Sequence, residues 1–203
     1  MLASPQDVAA YWDRRAAGYD DQSTDSAPVY WQHTATNVVL TRAELHPRDR
    51  LLDLGCGTGN VLHTAAPHVA FAKGVDLSPS MVALARAKAP AVQAVVGDLR
   101  EADVQGFAVI TACFALTQLT DAERTALWHR LIEQTEKGAT VVIGDWLWTV
   151  PPDQVEAPGW YDPAWVHPFS ATATMHELEA TGAFRVVLEP LHPLVAVLTA
   201  TRI

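Results

Sequence analysis

Residues 51–60 read Leu51-Leu52-Asp53-Leu54-Gly55-Cys56-Gly57-Thr58-Gly59-Asn60. An apolar run carrying one acid passes straight into Gly55, Gly57 and Gly59, which reads as a buried strand stopped by a tight turn before a helix. A turn without side chains lets a ligand approach the backbone closely. Downstream, Gly74-Val75-Asp76-Leu77 ends a second strand on another acid. That acid is placed to accept ribose hydroxyls, so a nucleotide-like ligand is expected. The glycines are spaced G-x-G-x-G, and Asn60 stands where the dinucleotide fingerprint G-x-G-x-x-G needs its last glycine. Asp53, ahead of the turn, would repel a pyrophosphate but suits a cationic amino group.

With 203 residues, 49% of them apolar, residues 1–203 are expected to form one domain with a sizeable core. The net charge is −9 and no cluster of Lys or Arg offsets it, which disfavours a nucleic-acid partner, since phosphates need a basic surface. No run of 18 apolar residues occurs, and the N-terminus lacks a basic region followed by an apolar one. A cytoplasmic protein without a membrane partner is expected, as monomer or homodimer. The two cysteines, Cys56 and Cys113, have neither metal-like nor disulfide-framework spacing and read as small reduced fillers.

Apolar strands alternate with helical patterns, which predicts an α/β fold with a doubly wound, mostly parallel sheet. The strands are expected at Arg50–Leu54, Ala72–Val75, Ala94–Val96, Ala108–Cys113 and Thr140–Gly144. Ser4-Pro5-Gln6-Asp7, Ser78-Pro79, Thr120-Asp121-Ala122-Glu123 and Thr174-Met175-His176-Glu177 read as helix starts with caps. Phe184–Glu189 and Leu194–Thr201 are joined by about four residues, too few for a parallel crossover, so this last pair must be antiparallel. Two regions stand outside the sheet: a cap segment over residues 1–46, and a lid insertion over residues 146–172 with five prolines. Together they hold eleven of the sixteen aromatic residues, which favours closure over a ligand rather than sheet packing.

The glycine turn, Asp76 and Gly97-Asp98 resemble the cofactor motifs of class I S-adenosylmethionine (SAM)-dependent methyltransferases, and the likeness extends from about Val8 to the C-terminus. It implies a Rossmann-like seven-stranded sheet whose last strand inserts between its neighbours. It implies SAM as cofactor and S-adenosylhomocysteine as product. Gly55, Cys56 and Gly57 would pass under the methionine portion, with Asp53 orienting its ammonium and the carbonyls near Ala112 and Cys113 beside it. Asp76 would accept both ribose hydroxyls, since a carboxylate has the two oxygens needed. Leu77 and Met81 would pack on the adenine, Asp98 would accept its amino hydrogens, and the Leu99 N–H would meet a ring nitrogen. Tyr11 and Tyr19, in Tyr-Trp-Asp-x-x-Ala-x-x-Tyr-Asp, are similar to a helix that closes over SAM. The family's usual Asp after the residue matching Phe107 is Ala108 here, so the start of strand four is expected to pack differently.

Methyl transfer needs positioning and a dry pocket, with aromatic faces around the spread positive charge. After strand four stands Cys113-Phe114-Ala115-Leu116-Thr117-Gln118, without the Asn/Asp-Pro-Pro-Tyr/Phe pattern that grips planar nitrogens. Thr117-Gln118 also replaces a His pair common in small-molecule members. The candidate bases are then His33 and His167, for which surface positions are the competing reading. His176 reads as a helix-face residue, and the other histidines carry no signal. Trp31, Phe114, Trp146 and Tyr161, with Tyr19, are the expected acceptor wall. Asp145 after strand five has no acid after strand four to share a metal, so no metal is expected. The function expected is methyl transfer to an O or N nucleophile of a small apolar or aromatic molecule. Two alternatives stay open: SAM-assisted chemistry of another kind, and a nicotinamide-dependent oxidoreductase.

Overall fold

Leu51, Leu52 and Leu54 are at most 1% exposed, so the strand they form is covered on both faces and lies at the centre of the sheet. The computed structural model describes residues 4–21, 27–151, 154 and 167–203. Its strands are β1 (Arg50–Leu54), β2 (Phe71–Asp76), β3 (Gln93–Val96), β4 (Val109–Cys113), β5 (Thr140–Asp145), β6 (Leu147–Trp148), β7 (Phe169–Ser170), β8 (Phe184–His192) and β9 (Val195–Arg202). Seven of them pair in the order β3-β2-β1-β4-β5-β9-β8, with the first five parallel and β9 antiparallel to both of its neighbours. The last strand is thus inserted, as the resemblance implies.

The helices are α1 (Pro5–Ala16), α2 (Ala27–Arg42), α3 (Asn60–Ala65), α4 (Pro79–Lys88), α5 (Asp121–Gln134) and α6 (Ala171–Ala180). Alternate strand residues feed two cores. Leu52, Leu54, Ile110 and Ile143 pack with Leu127, Leu131 and Leu178 of α5 and α6. Leu51, Val109, Val142 and Val197 pack with Ala35, Val39 and Leu62 of α2 and α3. Gly144 permits the close approach of α2, because a Cβ there would lie 2.8 Å from Val39 Cγ2.

Three caps form as the sequence predicts. Ser4 and Thr120 make reciprocal capping boxes with Asp7 and Glu123, and the Ser78 hydroxyl accepts from the Met81 N–H. The fourth does not. α6 begins a turn earlier, on the Ser170 hydroxyl, and the Thr174 hydroxyl inside it donates to the Ser170 carbonyl. Serine provides an earlier cap of equal quality, and helical positions follow from it without interruption. β8 also runs past Glu189 to His192, so the hairpin is tighter than the prolines suggest: a register shift between Pro190 and His192 absorbs the Pro190 ring. Strand four starts at Val109, with the Ala108 N–H donating to the Arg50 carbonyl.

The aromatic segregation expected for the lid holds only partly. Trp146 and Phe169 are core residues, 6% and 8% exposed, and β6 pairs with β7 to tie the two ends of that segment together. Tyr161, Trp160 and Trp165 lie outside the described residues.

Candidate functional site

Strand order reverses about β1, whose neighbours β2 and β4 run off in opposite directions, and the crevice outside the strand ends at such a point is where open α/β sheets bind ligands. Here the crevice is a cavity of about 240 Å³. Gly55, at φ +71°, forms its floor: a Cβ there would lie 2.3 Å from Ala115 Cβ, so only glycine fits. The Gly55 and Cys56 N–H groups both donate to the Val75 carbonyl, at 2.8 and 3.0 Å, which locks the turn onto β2. Asp76 then accepts from the Gly57 N–H at 2.8 Å and the Ser78 N–H at 2.9 Å. Burial raises the pKa of its carboxyl, against those two donors.

Leu77, Met81, Asp98 and Leu99 line the same cavity as Asp76, Gly55 and Gly57. Asp98 is not bare. Arg100 grips both of its oxygens through Nε and Nη2 and also pairs with Glu123 through Nη1. Burial opposes ionisation of Asp98, but those hydrogen bonds hold its pKa below the usual carboxylate value. An adenine amino group at Asp98 would therefore share the carboxylate with a guanidinium, a feature the sequence reading missed.

α1 roofs the cavity with Val8, Tyr11 and Trp12. Tyr19 follows on the same wall, its ring 5.9 Å from that of Trp12. Burial, with the charges of Asp20 and Asp76, pushes the Tyr19 phenol up to about 12. Beyond it stand Phe114 and Trp146, ring centroids 5.0 Å apart, with Cys113, Thr117, Gln118 and Gln32. Phe114 has φ +53°, a strained value for a side-chain-bearing residue of the kind that gathers at functional sites. Asp145 holds this turn from below. It is fully buried, accepts from the Leu116 and Trp146 N–H groups at 2.8 Å each, and burial pushes it up to about 6.

A side compartment of about 100 Å³ meets the main cavity at Tyr19, Gln32, Gly55, Gly57, Cys113 and Phe114. Asp53 and Cys56 line it, as does His33. Asp53 accepts from the Thr111 hydroxyl at 2.7 Å, and burial pushes its carboxyl up to about 7.

Several expected positions move. Trp31 is off both walls: it stacks on His192 with centroids 4.8 Å apart, at the tip of the β8–β9 hairpin. The turn of α2 instead points its neighbour Gln32 inward. His33 is exposed and belongs to the compartment of Asp53, not to the chamber of Trp146 and Thr117. His167 lines neither space; its N–H donates to the Thr117 carbonyl at 2.7 Å, its own carbonyl accepts from Arg124, and burial lowers its imidazole pKa. Ala112 packs into the α5 core and stays off the wall. Trp12, Gln32, Thr117, Gln118, Arg100 and Glu123 were not expected as lining. Trp12 carried a signal in its place beside Tyr11, and Thr117-Gln118 in standing where small-molecule members have a His pair; the others carried none. No group of His, Cys, Asp and Glu able to hold a metal occurs among the described residues. None of the described helices is long and apolar enough to cross a membrane.

Residues 51–138 match the family described as a methyltransferase domain. A carboxy-S-adenosyl-L-methionine synthase of Chromohalobacter salexigens is 32% identical over 169 residues, which cover 77% of this chain and 62% of that protein. A dTDP-4-amino-2,3,4,6-tetradeoxy-D-glucose N,N-dimethyltransferase of Saccharopolyspora spinosa is 30% identical over 138 residues, covering 61% of this chain and 55% of that one. The chain thus spans less than two thirds of the length of these relatives. Among solved structures, the SAM-bound amino pentose methyltransferase CalS10 of Micromonospora echinaspora superimposes with TM-score 0.67 at 24% identity, covering 100% of this chain and 99% of that one. With the inserted antiparallel strand and the glycine turn at the crevice, residues 51–138 match a methyltransferase domain and the chain has the fold of class I SAM-dependent methyltransferases.

Proposed function

We propose that residues 1–203 form one methyltransferase domain that moves the methyl group of SAM to an O or N nucleophile of a small apolar or aromatic molecule. The observation that carries this reading is one continuous space. Its inner end is lined by the Gly55 turn, Asp76 and Asp98-Leu99, and its outer end by Trp12, Tyr19, Phe114 and Trp146. The residues fit the cofactor at each part. Asp76 spends one lone pair per oxygen on Gly57 and Ser78 and keeps the others for two ribose hydroxyls. Leu77, Met81 and Leu99 offer an apolar slot for adenine. The compartment of Asp53, Gly55 and Cys113 offers a carboxylate for an ammonium.

When bound, SAM supplies an electrophilic methyl group on a sulfonium. The chain's part is to orient and to keep dry. Asp53 and Asp76 fix the two ends of the cofactor, while the Gly55–Ala115 contact leaves no side chain between it and β4. Tyr19, Phe114 and Trp146 turn aromatic faces to the chamber, where they exclude water and favour spread positive charge. In this reading His33 lies beside the amino-acid end of the cofactor rather than beside the acceptor.

Carboxyl chemistry on the cofactor is the second reading, favoured by the carboxy-SAM synthase relative. It would bring a carboxylate to the chamber, and the sole basic residue on the described wall, Arg100, is gripped by Asp98 and Glu123. Calorimetry with S-adenosylhomocysteine, followed by transfer of labelled methyl from SAM to a small-molecule panel, tests the proposal. Saturable binding and labelled product are expected. Absence of binding overturns it, and a product heavier by a carboxyl group favours the second reading.

A further inference from the structure

We infer that the acceptor is a small amine, because among the described residues the chamber at the outer end of the cavity offers an incoming nucleophile neither a base to deprotonate it nor a cation to hold an anion. This inference rests on the methyl-transfer reading above.

The missing base comes first. Among the described residues the chamber is walled by Trp12, Tyr19, Gln32, Cys113, Phe114, Thr117, Gln118 and Trp146. Tyr19 and Cys113 are its titratable groups; burial pushes the phenol up to about 12 and raises the thiol well above its ordinary value, so both stay protonated. His33 is in the side compartment and His167 is behind Thr117. An alcohol attacking a methyl group needs its proton removed as the bond forms. A neutral amine does not, because attack through its nitrogen lone pair gives a stable ammonium, where an alcohol would give a strongly acidic oxonium.

The missing cation follows. Arg100, the basic residue on the cavity wall, already serves two carboxylates, and Asp98 and Glu123 together leave the trio with one net negative charge. Arg124, behind the turn, donates to the carbonyls of Leu116, Leu119 and His167 and pairs with Asp121. Lys88 is turned to Asp20, Thr58 and Asn60. Residues 22–26 and 152–166 contain no Lys, Arg or His at all; their ionisable groups are Asp25, Asp153, Glu156, Tyr161 and Asp162, so they can add only negative charge. A carboxylate or phosphate brought here would face Asp76 and the Arg100 trio with nothing to pair it. An ammonium would be drawn in.

The step balances without a further reactant. The ammonium form yields its proton to bulk water before it is enclosed. The nitrogen lone pair then forms the N–CH₃ bond as the S–CH₃ bond breaks, and that bonding pair stays on sulfur. Positive charge passes from sulfur to nitrogen, so the aromatic and acidic walls face a cation before and after transfer.

The test is equilibrium binding to the protein saturated with S-adenosylhomocysteine, using 2-phenylethylamine, 2-phenylethanol and 3-phenylpropanoate as matched probes. The amine is expected to bind at least about tenfold tighter than the carboxylate, with the alcohol between. Gln118→Arg, which places a cation on the wall, should reverse the order of amine and carboxylate. The inference falls if the carboxylate binds as tightly as the amine in the unaltered protein, or if the amine does not bind. Failure of S-adenosylhomocysteine itself to bind sinks the methyl-transfer reading instead.

Discussion

The two ends of the cavity are built from different material. The inner end rests on β1, β2 and the turns that leave them, and nearly every group there is fixed by backbone hydrogen bonds: Gly55 and Cys56 to Val75, Asp76 to Gly57 and Ser78. The outer end is assembled from side chains of α1, α2, the turn after β4 and the segment after β5. Backbone-built sites tolerate little change, because one atom serves both fold and ligand. Side-chain-built sites can change their occupant while keeping the fold. A family that shares one cofactor and varies its acceptors would divide its site in just this way.

The sharpest break between the two ends is expected from Asp76→Ala. Two charge-assisted hydrogen bonds to a ribose are lost, each worth roughly 1.5–3 kcal/mol, so affinity for S-adenosylhomocysteine should fall at least about 100-fold. Asp76→Asn keeps one acceptor oxygen, for either the Gly57 or the Ser78 N–H, so melting temperatures of the two variants separate loss of the ligand from loss of the turn. Calorimetry showing unchanged affinity in both variants would remove Asp76 from the cofactor site and with it the distinction between the ends.

What could be read from the sequence follows the same division. The glycine turn, Asp76 and the positions of the parallel strands were legible because local spacing fixes them: a positive-φ glycine, an acid ending a strand and a proline after a cap each act within a few residues. Gln32 was not legible. α2 segregates its apolar residues too weakly to say which side faces the sheet, and the docking of Ala35 and Val39 on Gly144, which sets the rotation of the helix, joins residues far apart in sequence. The start of α6 was misplaced for a similar reason: two serviceable caps compete, and the β6–β7 pairing that selects Ser170 joins residues far apart in sequence.

A second contrast sets Trp146 against Trp31, which the sequence places on one wall and the structure places apart. Trp146→Ala opens the chamber and also removes a buried core ring, so it should cost about 3 kcal/mol of stability and broaden the range of acceptors accepted. Trp31→Ala loosens the contact with His192 and should cost about 1–2 kcal/mol with acceptor range unchanged. Denaturation midpoints and a shared acceptor panel check both. If Trp31→Ala changes acceptor preference as Trp146→Ala does, the chamber extends to the hairpin tip.

Asp53 belongs to the joint between the ends, and its effect depends on pH. Its folded pKa, about 7, lies above the ordinary value of 3.8. The folded state therefore holds a proton that the unfolded state has released, and the stability this gives is full below about pH 4 and lost as pH rises through 7. Asp53→Asn should match the unaltered protein at pH 4 and exceed it at pH 8 by about 1–2 kcal/mol without ligand. Affinity for S-adenosylhomocysteine at pH 8 should move the opposite way, falling about tenfold as the ammonium loses its carboxylate. Urea unfolding at the two pH values, paired with calorimetry, measures both signs. A variant less stable than the parent at pH 8 would mean that Asp53 is held ionised for the fold and not for a cationic ligand.

The smallest effect concerns how the roof is attached. Asp13 of α1 accepts from the Ser78 hydroxyl and from the Ser80 N–H, the latter at 2.9 Å, and so adds a second carboxylate cap to the start of α4. The Ser78 hydroxyl and the Ser80 N–H hold the Asp13 pKa below the usual carboxylate value, as expected for an anion at a helix N-terminus. The same helix carries Tyr11 and Trp12 over the cavity, so this contact sets how firmly the roof is shut while contributing nothing to either wall. Asp13→Ala should cost about 1 kcal/mol, as the loss of a helix cap does, and lower the melting temperature by about 2–4 °C. Where lifting of this roof limits release, dissociation of S-adenosylhomocysteine should quicken about threefold to tenfold, with its association rate little changed. Ser78→Ala should give a similar rate, and the double variant should add little to either one, since both remove one end of the same bond. Stopped-flow release of the ligand from the four proteins decides the matter: a lower melting temperature with an unaltered release rate would make α1 a fixed wall, and the two ends of the cavity would then open to solvent by some other route.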